Sequence, residues 1–331
     1  MLKAGIIGAG YIGEFHARGY SALSNVRLAL VVDRDLARAE KLAREYQAEA
    51  AADVESLVHS DVDVVSLCTP TPGHMPLATT LMQAGKHVLC EKPMARTLEQ
   101  AQAMIEAADR THVKLMVAHV SRYEADHRKA REILDRGEIG ELRMAFHSIT
   151  SPYPGWSAQD WLGDETKSGG PVVDLAIHSV DYMLWLFRSP VQRVYAVGSR
   201  QASGRNRYAL VTLYFANGGL GLVETSWANP PSVPLACKVE LSGTLGRISW
   251  DYDQINGMQT IIEGQGRRTY VLEGENSFAA EIADFIRCIE NDLPSPVPGS
   301  EAKAALEVCL AALESLTSGR CVEMNRSAKG R

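Results

Sequence analysis

Gly8-Ala9-Gly10-Tyr11-Ile12-Gly13 is the stretch that decides the fold of the N-terminal part of the chain. It follows a short apolar run and precedes a helix-like segment, so a G-x-G-x-x-G pattern stands between a strand and a helix. Glycines at these positions allow a tight turn and let the backbone approach a pyrophosphate, whose charge the helix N-terminus stabilises. The pattern therefore predicts a dinucleotide-binding turn.

Asp33 ends the next apolar run, twenty residues after Gly13. A carboxylate at this place accepts the hydroxyls of an adenosine ribose and repels a 2′-phosphate, which favours NAD over NADP. Arg34 follows directly, and a guanidinium there stacks on adenine or pairs with a phosphate. NAD is therefore the expected cofactor, and Arg34 leaves NADP open.

Up to about residue 120, short β-branched runs alternate with Ala/Glu/Leu-rich stretches, which is typical of βαβ units. Strands are predicted at 4–7, 27–32, 62–68, 86–90 and 114–118, with helices at 36–47 and 97–110 among the segments between them. We expect an α/β fold in which residues 1–120 form a doubly wound parallel sheet of the Rossmann type. Its ligand crevice should lie beyond the carboxyl ends of the strands.

After residue 120 the pattern changes to α+β. Helices are predicted at 126–136, 278–291 and 301–318, and strands at 142–149, 191–199, 208–215, 220–227, 236–241 and 247–251. Asn217-Gly218 between two of these strands indicates a hairpin. Residues 121–331 should therefore form a second domain with a large, mostly antiparallel open sheet.

Polar residues follow two of the N-terminal strands, where the crevice is expected. Thr69-Pro70 begins an irregular turn, and His74 either lines the nicotinamide side or caps the next helix. Glu91-Lys92-Pro93 follows another strand. Because Pro93 disfavours helical backbone at Lys92, the lysine should project from an extended segment into the crevice.

Asp174 and His178 lie four residues apart in a segment that begins with Gly169-Gly170-Pro171. A helix entered through Pro171 places both side chains on one face, and its other residues are almost all apolar. A polar pair inside such a helix indicates a functional role rather than a solvated surface. The spacing offers no third metal ligand, so we expect no metal site here.

Together these motifs resemble those of the Gfo/Idh/MocA family of nicotinamide-dependent oxidoreductases. The resemblance extends from the glycine turn through Glu91-Lys92-Pro93 and the Asp174/His178 helix to Ser318-Gly319-Arg320. It implies a Rossmann domain followed by an α/β domain that mediates homodimers or homotetramers through its sheet. Candidate cofactor contacts are Gly8, Gly10, Tyr11, Ile12, Gly13, Asp33, Arg34, Thr69, Pro70, His74, Glu91 and Lys92.

The resemblance also implies the chemistry: hydride transfer between nicotinamide and a secondary hydroxyl of a sugar or cyclic polyol. Lys92, Asp174 and His178 carry over as the catalytic residues. His178 is our preferred general base and Lys92 the group that stabilises the alkoxide, although the sequence leaves open which of them transfers the proton. Asp174 would orient the substrate or the imidazole.

Further substrate contacts are expected from aromatic and polar residues near the crevice. The 151–161 loop carries Trp156 and Trp161, whose rings suit the C–H faces of a sugar. His119, Arg122 and Tyr123 lie where the two domains meet in sequence. Packing is the alternative interpretation for each of these five side chains. The family's third small residue is replaced by Pro171, and its Arg-x-x-Pro pattern by Arg122-Tyr123-Glu124-Ala125, which leaves the shape of the pocket undetermined.

Two other functions use the same residues. An enzyme could oxidise its substrate transiently, eliminate a leaving group and restore its cofactor, so that nicotinamide absorbance would show no net change. A regulator could bind the cofactor without catalysis, but the presence of Lys92, Asp174 and His178 argues against it.

Composition narrows the choice of partners. The net charge of −6 disfavours nucleic acid, and no apolar run is long enough to suggest a membrane span. The six cysteines are widely spaced, with no C-x-x-C pair, and are expected to be reduced packing residues. We therefore expect a cytoplasmic enzyme whose only other partners are its substrate and copies of itself.

Overall fold

The computed structural model describes residues 1–155, 157–200, 206–254, 257–272, 274 and 276–324, which form two compact units. The first unit comprises residues 1–124 and 274–304. Its strands are β1 (Leu2–Ile7), β2 (Val26–Val32), β3 (Glu49–Ala51), β4 (Val64–Leu67), β5 (His87–Glu91) and β6 (Leu115–Ala118). Its first helices are α1 (Tyr11–Ser21), α2 (Leu36–Glu45), α3 (Glu55–Val58), α4 (His74–Gln83) and α5 (Leu98–Thr111).

The six strands form one sheet in the order β3-β2-β1-β4-β5-β6, and every pairing is parallel. The order reverses between β1 and β4, so the carboxyl ends of these two strands flank the crevice that binds ligands in doubly wound sheets. The predicted doubly wound parallel sheet is confirmed. The short strand β3 escaped prediction because its sequence, Glu-Ala-Ala, has little β propensity.

Residues 125–273, together with those from 305 onward, form the second unit. Its helices are α6 (Ala125–Asp135), α7 (Glu165–Ser168), α8 (Gly170–Asp174) and α9 (Ala176–Phe187). Its strands are β7 (Leu142–Pro152), β8 (Val191–Arg200), β9 (Asn206–Phe215), β10 (Leu220–Asn229), β11 (Ala236–Gly243), β12 (Gly246–Asp251), β13 (Met258–Ile262) and β14 (Gly266–Tyr270).

Two helices and a short strand complete the described chain: α10 (Ser277–Glu290), α11 (Gly299–Ser318) and β15 (Val322–Glu323). The second sheet runs β14-β13-β12-β11-β7-β10-β9-β8-β15. Its pairings are antiparallel except for β7 with β10. This confirms the predicted large, mostly antiparallel sheet. None of the helices described here is both long and apolar enough to cross a bilayer.

The expected division at residue 120 differs from the observed one, because residues 274–304 return to the first unit. A Cβ at Gly19 of α1 would lie 2.6 Å from the Ile282 side chain, so glycine permits the close approach of α10. The Phe15 and Phe278 rings stack there at 5.0 Å. The Val117 amide donates a 3.1 Å hydrogen bond to the Val297 carbonyl, which extends the open edge of β6.

The single helix expected around Asp174 and His178 is two short helices. Helix α8 ends at Asp174, and Leu175 separates it from α9. The Leu175 amide still donates to the Pro171 carbonyl at 3.1 Å, while the His178 amide donates to the Leu175 carbonyl over only three residues. The tighter hydrogen bond marks a local break in the α-helical ladder, which the apolar periodicity of the sequence did not reveal.

Candidate functional site

The glycine turn after β1 has the geometry that the sequence motif predicts. Gly8 has φ of +101°, and a Cβ there would lie 2.6 Å from the Cys68 carbonyl oxygen. A Cβ at Gly13 would overlap the carbonyl oxygen of Gly8. Gly10 caps α1, and open space surrounds the position of its missing Cβ. Gly8 and Gly13 therefore allow the chain to pack closely, whereas Gly10 leaves open space before the N-terminus of α1.

Asp33 lies at the carboxyl end of β2 and contacts the glycine turn directly. Its Oδ2 accepts a 2.8 Å hydrogen bond from the Ala9 amide, and its Oδ1 accepts one of 2.9 Å from the Asp35 amide. The side chain is half-buried, while Arg34 beside it is exposed. Each carboxylate oxygen has a second lone pair that can accept a hydroxyl proton.

A cavity of about 230 Å³ borders the turn on its α2 side. Its lining includes Ala9, Gly10 and Tyr11, the cations Arg38 and Lys41 of α2, and the carboxylates of Glu14 and Glu45. Tyr11 is exposed and Ile12 half-buried, so both predicted contacts have surface available. Because helix N-termini attract phosphate, the start of α1 beside Gly10 suits the pyrophosphate of a dinucleotide.

Lys92 follows β5 and is the only residue between 88 and 95, a stretch described in full, that is not buried. Its amide donates a 3.1 Å hydrogen bond to Glu91 Oε2. Glu91 Oε1 lies 3.0 Å from His16 Nε2, and His16 Nδ1 lies 2.9 Å from Ser66 Oγ. This chain of contacts fixes the backbone from which the lysine side chain projects.

Glu91 is a predicted cofactor contact, and its side chain contacts other parts of the protein. Its side chain is buried, and its two oxygens contact His16 and the Lys92 amide. Burial acts to raise the pKa of Glu91, but the hydrogen bond and charge of His16 hold that pKa below its usual value. Glu91 therefore positions Lys92. His16 and Ser66 were missed because single polar residues in apolar segments carry no spacing signal.

His74 was expected either to line the nicotinamide side or to cap the next helix. It begins α4, but its ring is 1% exposed and lies between two backbone segments. Nδ1 is 2.9 Å from the Pro93 carbonyl oxygen, and Nε2 is 2.7 Å from the Thr69 carbonyl oxygen. The ring joins the turn after β4 to the segment that carries Lys92, so its role is positioning. Thr69 and Pro70 themselves are half-buried and stay candidates for cofactor contact.

The three substrate contacts expected at 119–123 are buried within the first unit. Both ring nitrogens of His119 are inaccessible. Arg122 pairs with Glu301 at 2.7 Å, and Tyr123 is hydrogen-bonded to Asp284 of α10. The structure thus favours the packing interpretation for these side chains. Sequence position alone gave no indication that residues near 284 and 301 would return to cover them.

Asp174 and His178 are the only side chains between 168 and 183, a fully described stretch, that are not buried. The break at Leu175 separates them, yet both remain partly accessible on an otherwise apolar pair of helices. Burial of the flanking residues holds the two side chains in place. Partial exposure distinguishes Asp174 and His178 from their neighbours in the second unit, as it distinguishes Lys92 from its neighbours in the first.

The loop before these helices is built around Tyr153. Its hydroxyl contacts Asp160, its ring lies edge-on to Trp227 at 6.1 Å, and the Arg207 guanidinium lies 4.0 Å from the ring centroid. Trp161 is half-buried and stays a candidate substrate contact. Trp156 lies outside the described residues.

Comparison with known proteins identifies the family of both parts of the chain. Residues 2–119 match the oxidoreductase family with an NAD-binding Rossmann fold, and residues 127–249 match the GFO/IDH/MocA C-terminal domain. An inositol 2-dehydrogenase of Rhizobium meliloti strain 1021 is 28% identical, covering 98% of this chain and 99% of its own. The D-glucoside 3-dehydrogenase of Escherichia coli K12 is 30% identical over 69% of this chain and 70% of its own.

Solved structures show the same likeness. The crystal structure of an NAD binding oxidoreductase from Klebsiella pneumoniae has a TM-score of 0.88 and 25% identity, and the match covers 98% of this chain and 100% of that one. Both domain matches lie in the order expected from the motifs, and together they cover most of the chain. The chain therefore belongs to the Gfo/Idh/MocA family of oxidoreductases, with an NAD-binding Rossmann fold in its N-terminal unit.

Proposed function

We propose that this NAD-dependent dehydrogenase oxidises a secondary hydroxyl of a cyclic polyol or pyranose to the ketone, with Lys92, Asp174 and His178 as its catalytic residues. The observation that carries the proposal is the exposure of Lys92, which alone reaches the surface of the buried 88–95 stretch at the carboxyl end of β5. The inositol and glucoside dehydrogenases among the relatives support the substrate class.

The residues around the glycine turn fit NAD. The space beside Gly10 accommodates a pyrophosphate that a side chain would displace, and Asp33 offers carboxylate oxygens to ribose hydroxyls. Bound NAD supplies the hydride acceptor. We propose that Gly8, Gly10, Tyr11, Ile12, Gly13, Asp33, Arg34, Thr69, Pro70 and Lys92 form its binding site.

The protein's own contribution is proton transfer and charge stabilisation. His178 takes the hydroxyl proton, since an imidazole can accept and return a proton near neutral pH. The Lys92 ammonium stabilises the alkoxide that develops as the proton leaves, and Glu91 and His16 keep its backbone in place. Asp174 orients the substrate or the imidazole, and Trp161 packs against the sugar ring.

The first experiment measures NADH formation with NAD and, in parallel, NADPH formation with NADP. The panel comprises inositols, aldoses, aldonates and amino sugars, and the ketone product is identified by mass spectrometry. We expect one substrate class to reduce NAD. Tight NAD binding without reduction by any polyol, or turnover of a glycoside without net absorbance change, would contradict the proposal and favour the regulator or the cofactor-recycling enzyme.

We propose in addition that the second sheet forms the interface of a homodimer or homotetramer in the cytoplasm. Val197 of β8 pairs with Leu210 of β9, and both are exposed, as is Tyr195 on the same face. Light scattering during size-exclusion chromatography tests this, because a monomer would exclude the interface.

A further inference from the structure

Two histidines and a cysteine converge in the core of the second unit, and none of the three is assigned to the reaction. One ring nitrogen each of His127 and His147 and the Cys237 Sγ all lie within 4.8 Å of one another. All three side chains are buried. No sequence pattern predicted a role for either histidine, and Cys237 was expected to be a packing residue.

The three residues come from different elements that the fold brings together. His127 lies on α6, His147 on β7 and Cys237 on β11. In the β11–β7 ladder Cys237 pairs with Ile149, and Val239 pairs with His147. Because Cys237 and Val239 are two residues apart, the Cys237 side chain faces the same side of the sheet as the His147 side chain. Helix α6 supplies the third side chain from across this face, so the cluster joins a helix to two strands.

The geometry points to a binding site for Zn²⁺ or a similar transition-metal ion at His127, His147 and Cys237. Two imidazole nitrogens bound to one tetrahedral Zn²⁺ at 2.0–2.1 Å stand about 3.3 Å apart. The observed distance between His127 Nε2 and His147 Nε2 is 3.1 Å, which already matches that edge. Imidazole and thiolate ligands suit Zn²⁺, and the cluster contains no carboxylate among the described residues that would favour Mg²⁺ or Ca²⁺.

The surroundings orient the ligands as metal sites require. Ser179 Oγ lies 2.7 Å from His147 Nδ1, so a proton on Nδ1 leaves the Nε2 lone pair for an ion. The Tyr182 and Trp250 rings lie edge-on to the His127 ring, at 4.4 and 5.1 Å, and hold it from two sides.

Binding requires two proton movements that balance the charge. The Cys237 thiol loses its proton to solvent as the metal–sulfur bond forms. With His147 protonated on Nδ1, the hydrogen bond between the two Nε2 atoms carries the proton of His127, which moves to His127 Nδ1 so that both Nε2 lone pairs face the ion. Three protein ligands leave the fourth position of a tetrahedral ion to water.

The test uses the full-length protein freed of metal with a chelator and titrated with Co²⁺ alone, then with Zn²⁺ alone. We expect one equivalent of Co²⁺ to give a thiolate-to-cobalt charge-transfer band, and Zn²⁺ to displace it and raise Tm. Cys237→Ala should abolish the band. Cys309→Ala is the matched control, because Cys309 is also buried in the second unit, and this variant should retain the band.

A second variant tests the same site independently, in case Cys237→Ala does not fold. His127→Phe keeps an aromatic ring between Tyr182 and Trp250 and should weaken Co²⁺ binding at least about 100-fold, since even outer-shell partners cost 10–100-fold. Absence of a band at stoichiometric Co²⁺, or its persistence in Cys237→Ala, would overturn the proposal. The histidines would then form only a hydrogen-bonded pair in the core.

Discussion

The Ala9 amide donates a 2.8 Å hydrogen bond to Asp33 Oδ2, which joins the glycine turn after β1 to the carboxyl end of β2. This single contact brings together the two features that the sequence separates by twenty residues. The proposed phosphate-binding turn and the proposed ribose-binding carboxylate are thus held at a fixed spacing within the protein, as pre-organised binding requires.

We expect Asp33→Asn to weaken NAD binding about 10–100-fold. The amide oxygen can still accept from Ala9, but the charge-assisted hydrogen bond to a ribose hydroxyl, worth about 1.5–3 kcal/mol, is lost. Calorimetric titration with NAD measures the effect. Asp53→Asn is the control, because Asp53 is an exposed carboxylate of the same unit. Equal NAD affinities in the two variants would remove Asp33 from the binding site.

Two alanine substitutions in the glycine turn should separate folding from binding. Gly13→Ala forces a Cβ into the Gly8 carbonyl, so we expect a loss of about 2–3 kcal/mol in the free energy of unfolding. Gly10→Ala meets open space at φ −91°, so stability should change by less than about 0.5 kcal/mol. Its methyl group should nevertheless weaken NAD binding at least tenfold by occupying the pyrophosphate space, about 1.4 kcal/mol. Denaturant unfolding and calorimetry test both, and unchanged NAD affinity in Gly10→Ala would refute the assignment.

Local patterns predicted most of this fold, and distant contacts account for what they missed. The glycine turn, Asp33 and the strand ends depend on residues close in sequence, so periodicity and spacing revealed them. The return of residues 274–304 depends on the fit of Phe278 and Ile282 against Gly19, which no local pattern encodes. The break at Leu175 likewise could not be predicted from local sequence, because neither a proline nor a glycine stands at that position.

The predicted site residues divide in the same way: local motifs identified some of them, and distant contacts determine the roles of the others. Lys92, Asp174 and His178 are partly exposed among buried neighbours, and sequence motifs had predicted all three as site residues. Glu91, His74 and Arg122 are polar residues beside those motifs, but burial and partners such as His16 and Glu301 determine what they contact. Sequence identifies a polar residue near a crevice, whereas its partner decides whether it touches a ligand or holds another residue.

His74 should make stability depend on pH in a defined direction. Burial lowers the pKa of His74 below 6.5, so the unfolded chain takes up the proton first as pH falls. The contribution of His74 to the free energy of unfolding is therefore complete above about pH 6.5. It is lost as the pH falls towards the pKa of His74 in the folded protein. In His74→Gln this loss should be absent, so denaturant unfolding from pH 7.5 to 5 should give a shallower curve than the wild type. Burial also lowers the pKa of His87 and His147, but both proteins share those residues. Parallel curves would rule out the effect.

His178→Gln should lower kcat about 10²–10⁴-fold, the usual contribution of a general base. The pH dependence of kcat across neutrality should disappear with it, which a merely structural role would not cause. The control is His59→Gln, because His59 is an exposed histidine of the first unit. A kcat and pH profile like those of the control would show that another group transfers the proton.

The central claim is that Lys92 stabilises charge on the reacting oxygen. The most direct measurement is kcat/KM for NAD reduction by the best polyol of the panel, in Lys92→Ala and in Lys3→Ala, an N-terminal lysine paired with the exposed Asp61. We predict a fall of about 10²–10³-fold in Lys92→Ala alone, with the Kd for NAD within a few-fold of the wild type. Equal kcat/KM values in the two variants would contradict the account.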